Sequence, residues 1–147
     1  MFVDTKTRLA WDNRMEHMEI VPSQDMAANE FAQYFVVAKS NLPLVTQRDC
    51  LVKVQKRRNY PKEGEFTYAF VHHKDDKFPE DNNDIIRTKT HLNGYHFKPA
   101  PDGKGSIVEW FQNIDVHGSI PTWLFRMATT RLHMNMYSLV VQNLDKT

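Results

Sequence analysis

The chain has one cysteine, Cys50, in 147 residues, which leaves no partner for an internal disulfide and points to a reducing compartment. No uninterrupted apolar run exceeds a few residues, far short of the ~20 that a helical bilayer span needs. Residues 1–21 lack the basic-then-apolar pattern of a secretory leader. Nineteen lysines and arginines nearly balance eighteen aspartates and glutamates, and a net charge of +1 gives no general basicity to recruit nucleic acid. No phosphate-binding glycine loop, dinucleotide fingerprint or nucleophile elbow occurs. These absences predict a soluble, cytoplasmic protein that is not an enzyme, needs no cofactor or metal, and binds no nucleic acid.

What is present describes one globular domain over residues 1–147, with 41% hydrophobic and 25% charged residues. Its organising stretch is residues 105–132, GSIVEWFQNIDVHGSIPTWLFRMATTRL. Val108, Trp110, Gln112, Ile114 and Val116 fall on one face of a strand, and Glu109, Asn113 and Asp115 on the other. His117, Gly118 and Ser119 turn the chain, Ser119 as a helix cap with Pro121 in an early helical position. Apolar residues then recur at 120, 123, 124, 127, 134, 137, 140, 141 and 144, a broad helical arc.

Upstream, residues 1–21 read as short helical structure with Leu9, Trp11, Met15, Met18 and Ile20 on the apolar side. Strands follow at 31–39, 49–58, 65–73 and 85–92, rich in β-branched and aromatic residues. The first is broken at Asn41-Leu42-Pro43, and Asn93-Gly94 predicts a hairpin into a short strand at 95–99. Strands joined by short turns predict an antiparallel sheet, with the terminal helix covering its apolar face.

Candidate chemistry is sparse. His72 and His73 lie near Asp75 and Asp76, but adjacent strand residues point to opposite faces and do not share one ion easily. Cys50 sits on the apolar face of its strand, where a buried thiol behaves as a small hydrophobe. Lys53, Lys56, Arg57, Arg58 and Lys62 form a basic strand end suited to solvent or to an anionic membrane surface. Arg48 and Asp49 read as a structural ion pair at a strand entrance.

Several words of the sequence resemble the START lipid-transfer family. Gln112, Asp115, Gly118, Ile120-Pro121 and Trp123-Leu124 resemble its last-strand-to-last-helix signature. Trp11-Asp12, Arg48-Asp49 and the set Ile85-Ile86-Arg87, Gly94-Tyr95, Pro99 and Gly103 follow in the family's order and spacing. The resemblance covers almost the whole chain and implies an α+β helix-grip fold, a curved antiparallel sheet packed on a long C-terminal helix around a lipid-sized cavity. It implies binding and non-vesicular transfer or sensing of a phospholipid, sterol or related lipid. Alternatives are a START-related enzyme, thioesterase-associated or cyclase-like, and a ligand-free interaction module.

On this reading Phe35, Cys50, Val52, Val54, Val108, Trp110, Gln112, Leu124, Met127 and Met134 line the cavity, and the turn at Tyr60 and Pro61 forms a gate with the last helix. Family members that bind cholesterol or phosphatidylcholine place a buried arginine on the strand after Arg-Asp. That position is Val54 here, and the acidic partner falls near Phe35, which implies a drier cavity and a weakly polar lipid. The family's first helix and three strands have no counterpart ahead of Trp11-Asp12. The resemblance therefore implies an incomplete domain with an exposed sheet edge, possible self-association, transient membrane contact and weak stability.

Overall fold

The computed structural model describes residues 5–22, 26–37, 45–80 and 84–144. A helix α1 (Thr5–Trp11) is followed by β1 (Met15–Val21), β2 (Glu30–Val37), β3 (Gln47–Arg58), β4 (Phe66–His72), β5 (Ile85–Arg87), β6 (Lys89–Pro99), β7 (Ser106–Asp115) and α2 (Thr122–Leu144). One sheet runs in the order β1-β2-β3-β4-β6-β7, with β5 added parallel to β3 and every other pairing antiparallel. Antiparallel meanders need only short connections, and this chain supplies them through the turns at 59–65 and 100–105. The break expected at 41–43 lies outside the described residues.

β3 is the centre. It pairs with β2, β4 and β5 and is buried on both faces over most of its length. Its inward side chains Cys50, Val52 and Val54 join Trp11, Tyr68, Tyr95 and Met136 in the main core, with Phe31, Phe35, Phe66, Phe70, Phe97, Trp110 and Val140 packed around them. Its outward Leu51 packs with Val21 and Ala32 under Met26, Tyr34 and Phe78. The apolar alternation of β2 (Phe31, Phe35 inward; Ala32, Tyr34 outward) serves both layers for the same reason: successive strand residues point to opposite faces.

Four expectations are corrected. Residues 15–21 form a strand, not part of a helix; α1 ends at Trp11, and the β-branched end of the segment pairs with β2. Asn93-Gly94 makes no hairpin and lies inside β6, opposite Phe70 and Ala69 of β4. The glycine is there because a Cβ would sit 2.3 Å from the Tyr68 carbonyl oxygen. α2 begins at Thr122, and its first bond runs from the Phe125 amide to the Pro121 carbonyl, so the helix starts beyond Ser119.

The fourth concerns Arg48 and Asp49, which point to opposite faces. Arg87 reaches Asp49 in a bidentate pair (Nε–Oδ1 2.7 Å, Nη2–Oδ2 2.9 Å), and the Tyr34 hydroxyl donates to the same carboxylate at 3.1 Å. Burial and the Asp49 charge push the Tyr34 phenol up to about 12. Arg48 instead donates to the carbonyls of Thr46, Val116 and His117, tying β3 to the turn before α2.

Cys50 follows its sequence reading. It is buried, its sulfur lies 2.7 Å from the Thr88 hydroxyl, and burial pushes the thiol up to about 12. A thiol held protonated and out of water reacts only when the fold opens. Alkylation of the native protein at neutral pH is therefore expected to be slow and to accelerate sharply above the unfolding midpoint of denaturant, measured by mass shift against time.

Candidate functional site

The concave face of the sheet is paved with aromatic rings. Pairing places Tyr68 beside Tyr95 and Tyr95 beside Trp110, in near-parallel stacks with centroids 6.5 and 5.9 Å apart. Phe66 and Phe97 continue the pavement toward the 59–65 turn. Rings on neighbouring strands of one face meet at this spacing because cross-strand pairs share a side of the sheet. The Trp110 indole donates to Asn93 at 2.9 Å, which fixes one end of the row.

Against these rings α1 and the turn that follows it deliver a cluster of charges. Asp12 has no exposed surface. It receives Arg14 through Nε and Nη2, both at 2.6 Å, and Arg8 through Nη2, also at 2.6 Å. Arg8 is buried, lies 4.5 Å from the Trp11 ring centroid, and hydrogen-bonds Tyr95. The i, i+4 spacing of Arg8 and Asp12 puts both on one side of α1, and the turn after Asp12 brings Arg14 back to it. Burial works against ionisation of Asp12, yet the two guanidiniums outweigh it and hold the carboxyl below its usual range. Burial also pushes the Tyr68 and Tyr95 phenols up, so both stay neutral.

Arg8 and Arg14 thus meet on one buried carboxylate beside the aromatic row. Beside it the Tyr68 hydroxyl donates to Gln33 Oε1 at 3.2 Å, while Gln33 Nε2 and Thr90 Oγ1 have no hydrogen-bond partner among the described residues. Tyr68→Phe should cost about 1 kcal/mol, the net worth of one neutral hydrogen bond. Urea unfolding would read this as a lower midpoint at unchanged slope.

α2 closes over the same region from its second half. Met136 is buried in the core, Val140 packs beside it, and Arg14 donates to the Met136 sulfur at 3.0 Å.

Of the ten proposed lining residues, Phe35, Cys50, Val52, Val54 and Trp110 share the concave face, and Leu124 and Met127 are half-buried on α2. Val108 belongs to the same row as Phe97 but is half exposed at the end of the row, and Gln112 is exposed. Met134 is 69% exposed, contrary to its expected role. α2 is apolar nearly all round, so periodicity did not tell Met134 from Met136. Tyr60 and Pro61 lie exposed at the tip between β3 and β4, Tyr60 beneath the Arg57 guanidinium (4.9 Å to the ring centroid).

The expected dry interior is also corrected. Positions 54 and 35 do carry no charge, but α1 and the turn after it supply Arg8, Asp12 and Arg14 from another direction. The signal was in the sequence: Arg8, Trp11 and Asp12 share one side of a single helical turn.

A curved antiparallel sheet gripped by a long C-terminal helix defines a helix-grip domain. A START domain model matches residues 1–146, and the chain belongs to the START domain family. Among solved structures it is similar to human STARD10 (TM-score 0.82, 16% identity, covering 99% of this chain and 57% of that one). It is also similar to human StAR-related lipid transfer protein 5 (TM-score 0.72, 22% identity, 92% and 64%). The lipid transfer and protein localization domain of human StarD13 is similar too (TM-score 0.64, 20% identity, 80% and 55%). The chain thus spans about three-fifths of the first two structures. No curated protein matches it. Among the described residues no helix is long and apolar enough to cross a membrane.

Proposed function

We propose that the chain binds a lipid bearing an anionic group, with that group against Arg8 and Arg14 and its acyl or ring portion over the aromatic pavement, and that it carries or senses this lipid without catalysis. The placement of the Arg8 and Arg14 guanidiniums beside the aromatic row carries the reading. Guanidiniums recognise a phosphate or carboxylate through charge-assisted hydrogen bonds, and the effect is strongest away from water. Gln33 Nε2 offers a further donor. The apolar part of the ligand gains roughly 25 cal/mol per Å² removed from water. Membership of a lipid-transfer family supports the class of ligand, and the inert Cys50 supports a reducing, cytoplasmic setting without thiol chemistry.

Loading takes place at a bilayer. Arg57, Arg58 and Lys62 flank the Tyr60–Pro61 tip in the chain, with Arg57 stacked on Tyr60, and each basic side chain near an anionic surface contributes about 1 kcal/mol. Movement of this tip against α2 admits the ligand.

Lipid extracted from the purified protein and identified by mass spectrometry tests the class. Arg8→Gln should then weaken binding of a fluorescent phosphatidic acid by tenfold or more and leave a fluorescent diacylglycerol nearly unaffected. Equal loss for both lipids, or preferential retention of neutral lipid by the native chain, would rule the anionic head group out.

A further inference from the structure

Met136 is the one buried methionine among the described residues, set in the main core where the second half of α2 meets the sheet. Its sulfur lies 3.0 Å from Arg14 Nη2, and the same nitrogen lies 2.6 Å from Asp12 Oδ2. A guanidinium nitrogen of this kind carries two hydrogens. Arg14 therefore directs one at a carboxylate and the other at a thioether, which is a weak acceptor. The contact sets an oxidisable side chain against a charged donor that binds oxygen far better than sulfur. Oxidation supplies that oxygen, because methionine sulfoxide is polar and carries its acceptor on the sulfur itself.

We propose that Met136 is a site of reversible oxidation by hydrogen peroxide, reached when α2 lifts from the sheet, and that the sulfoxide oxygen then occupies the Arg14 donor. The thioether sulfur attacks one peroxide oxygen, the O–O bond breaks, and the second oxygen leaves as water. Sulfur loses two electrons and the peroxide gains them. With α2 down the sulfur is out of water and its lone pair faces a cation, so it is protected. Among the described residues α2 adds only Met136 and Val140 to the main core, so its lifting is a smaller event than global unfolding. Cys50, on the central strand β3, marks the larger event. When α2 closes again, a sulfoxide without a donor would be a costly buried polar group. Arg14 satisfies it, and an anionic lipid loses that donor. This last consequence rests on the head-group reading above; the oxidation and its Arg14 partner do not.

The full chain is treated with hydrogen peroxide at neutral pH, and sulfoxide at Met136 is followed by peptide mass spectrometry across a urea series. Oxidation of Met136 is expected well below the unfolding midpoint, where Cys50 is still closed to alkylation. The Arg14 contact is tested without lipid: oxidation should lower the melting temperature more in Arg14→Gln than in the native chain. Met136→Leu, a volume-conserving change, subtracts the effect of the other methionines, and circular dichroism confirms that each variant folds. The oxidised native chain should bind fluorescent phosphatidic acid at least tenfold more weakly than before treatment, and methionine sulfoxide reductase should reverse the loss. Met136→Leu should bind alike before and after peroxide. Met136 oxidation that tracks global unfolding, or an equal fall in melting temperature with and without Arg14, would overturn the inference. So would a binding loss in Met136→Leu as large as in the native chain. An untreated native chain with no preference for phosphatidic acid defeats the head-group reading instead, and the first two measurements still decide on Met136.

Discussion

Asp12→Ala is expected to lower folding stability by about 3–5 kcal/mol, the range for removing one partner of a buried charge cluster. The loss is large because two guanidiniums, Arg8 and Arg14, both bind that one buried carboxylate. Arg14→Gln should cost less, since Asp12 then keeps Arg8 as a neutralising partner. Equal losses for the two variants would show that charge balance is not what the cluster depends on. The same geometry fixes a pH dependence. The carboxyl of Asp12 is lowered in the folded chain from an ordinary value of 3.8. Its stabilisation is therefore fully present above that value and is lost as pH falls through the lower folded value. Thermal unfolding followed from pH 6 to pH 2 should show a steep acid loss in the native chain and a shallower one in Asp12→Asn.

Gly94→Val should be as damaging by a different route. A Cβ on residue 94 would lie 2.3 Å from the Tyr68 carbonyl oxygen, 2.8 Å from Ala69 Cα and 2.8 Å from Phe111 Cζ. Two of these three atoms are backbone of the neighbouring strand, so no rotamer change relieves the overlap, and β4 and β6 must part. Overpacking usually costs about 1–3 kcal/mol, and a clash against backbone belongs at or above the top of that range. At about 2–4 °C per kcal/mol for a chain near this size, calorimetry should record a fall of at least ~6 °C. Gly94→Ala should show most of the effect, because the first carbon already collides. A near-native melting temperature for both would mean that the two strands separate freely at this point.

Gly94 also shows where the sequence could and could not be read. Asn-Gly is a common hairpin signal, and nothing local distinguishes it from a glycine needed for close approach of two strands. That distinction depends on β4, more than twenty residues away. The periodicity of 49–58 and 106–115 was enough to place both strands and their faces, because alternation is a local property. The last helix was legible as a helix but not in its orientation: Met134 and Met136 are two positions apart on a helix with apolar side chains on most sides. The charged cluster was spelled out in Arg8, Trp11 and Asp12. Its role as part of the interior depended on α1 lying against Tyr95, a contact between residues 87 positions apart in the chain.

β3 has a kinetic consequence. It is bonded to strands on both sides and is covered by side chains above and below, so its amides can meet solvent only when both layers come apart together. In hydrogen exchange such a strand reports the free energy of the whole molecule, while edge strands and helix ends report smaller openings. The slowest amides should therefore run from Cys50 to Val54. Any substitution in α1, in the outer layer around Leu51 or on the concave face should speed their exchange by the same free energy that it removes from global stability, making this one strand a gauge for the rest.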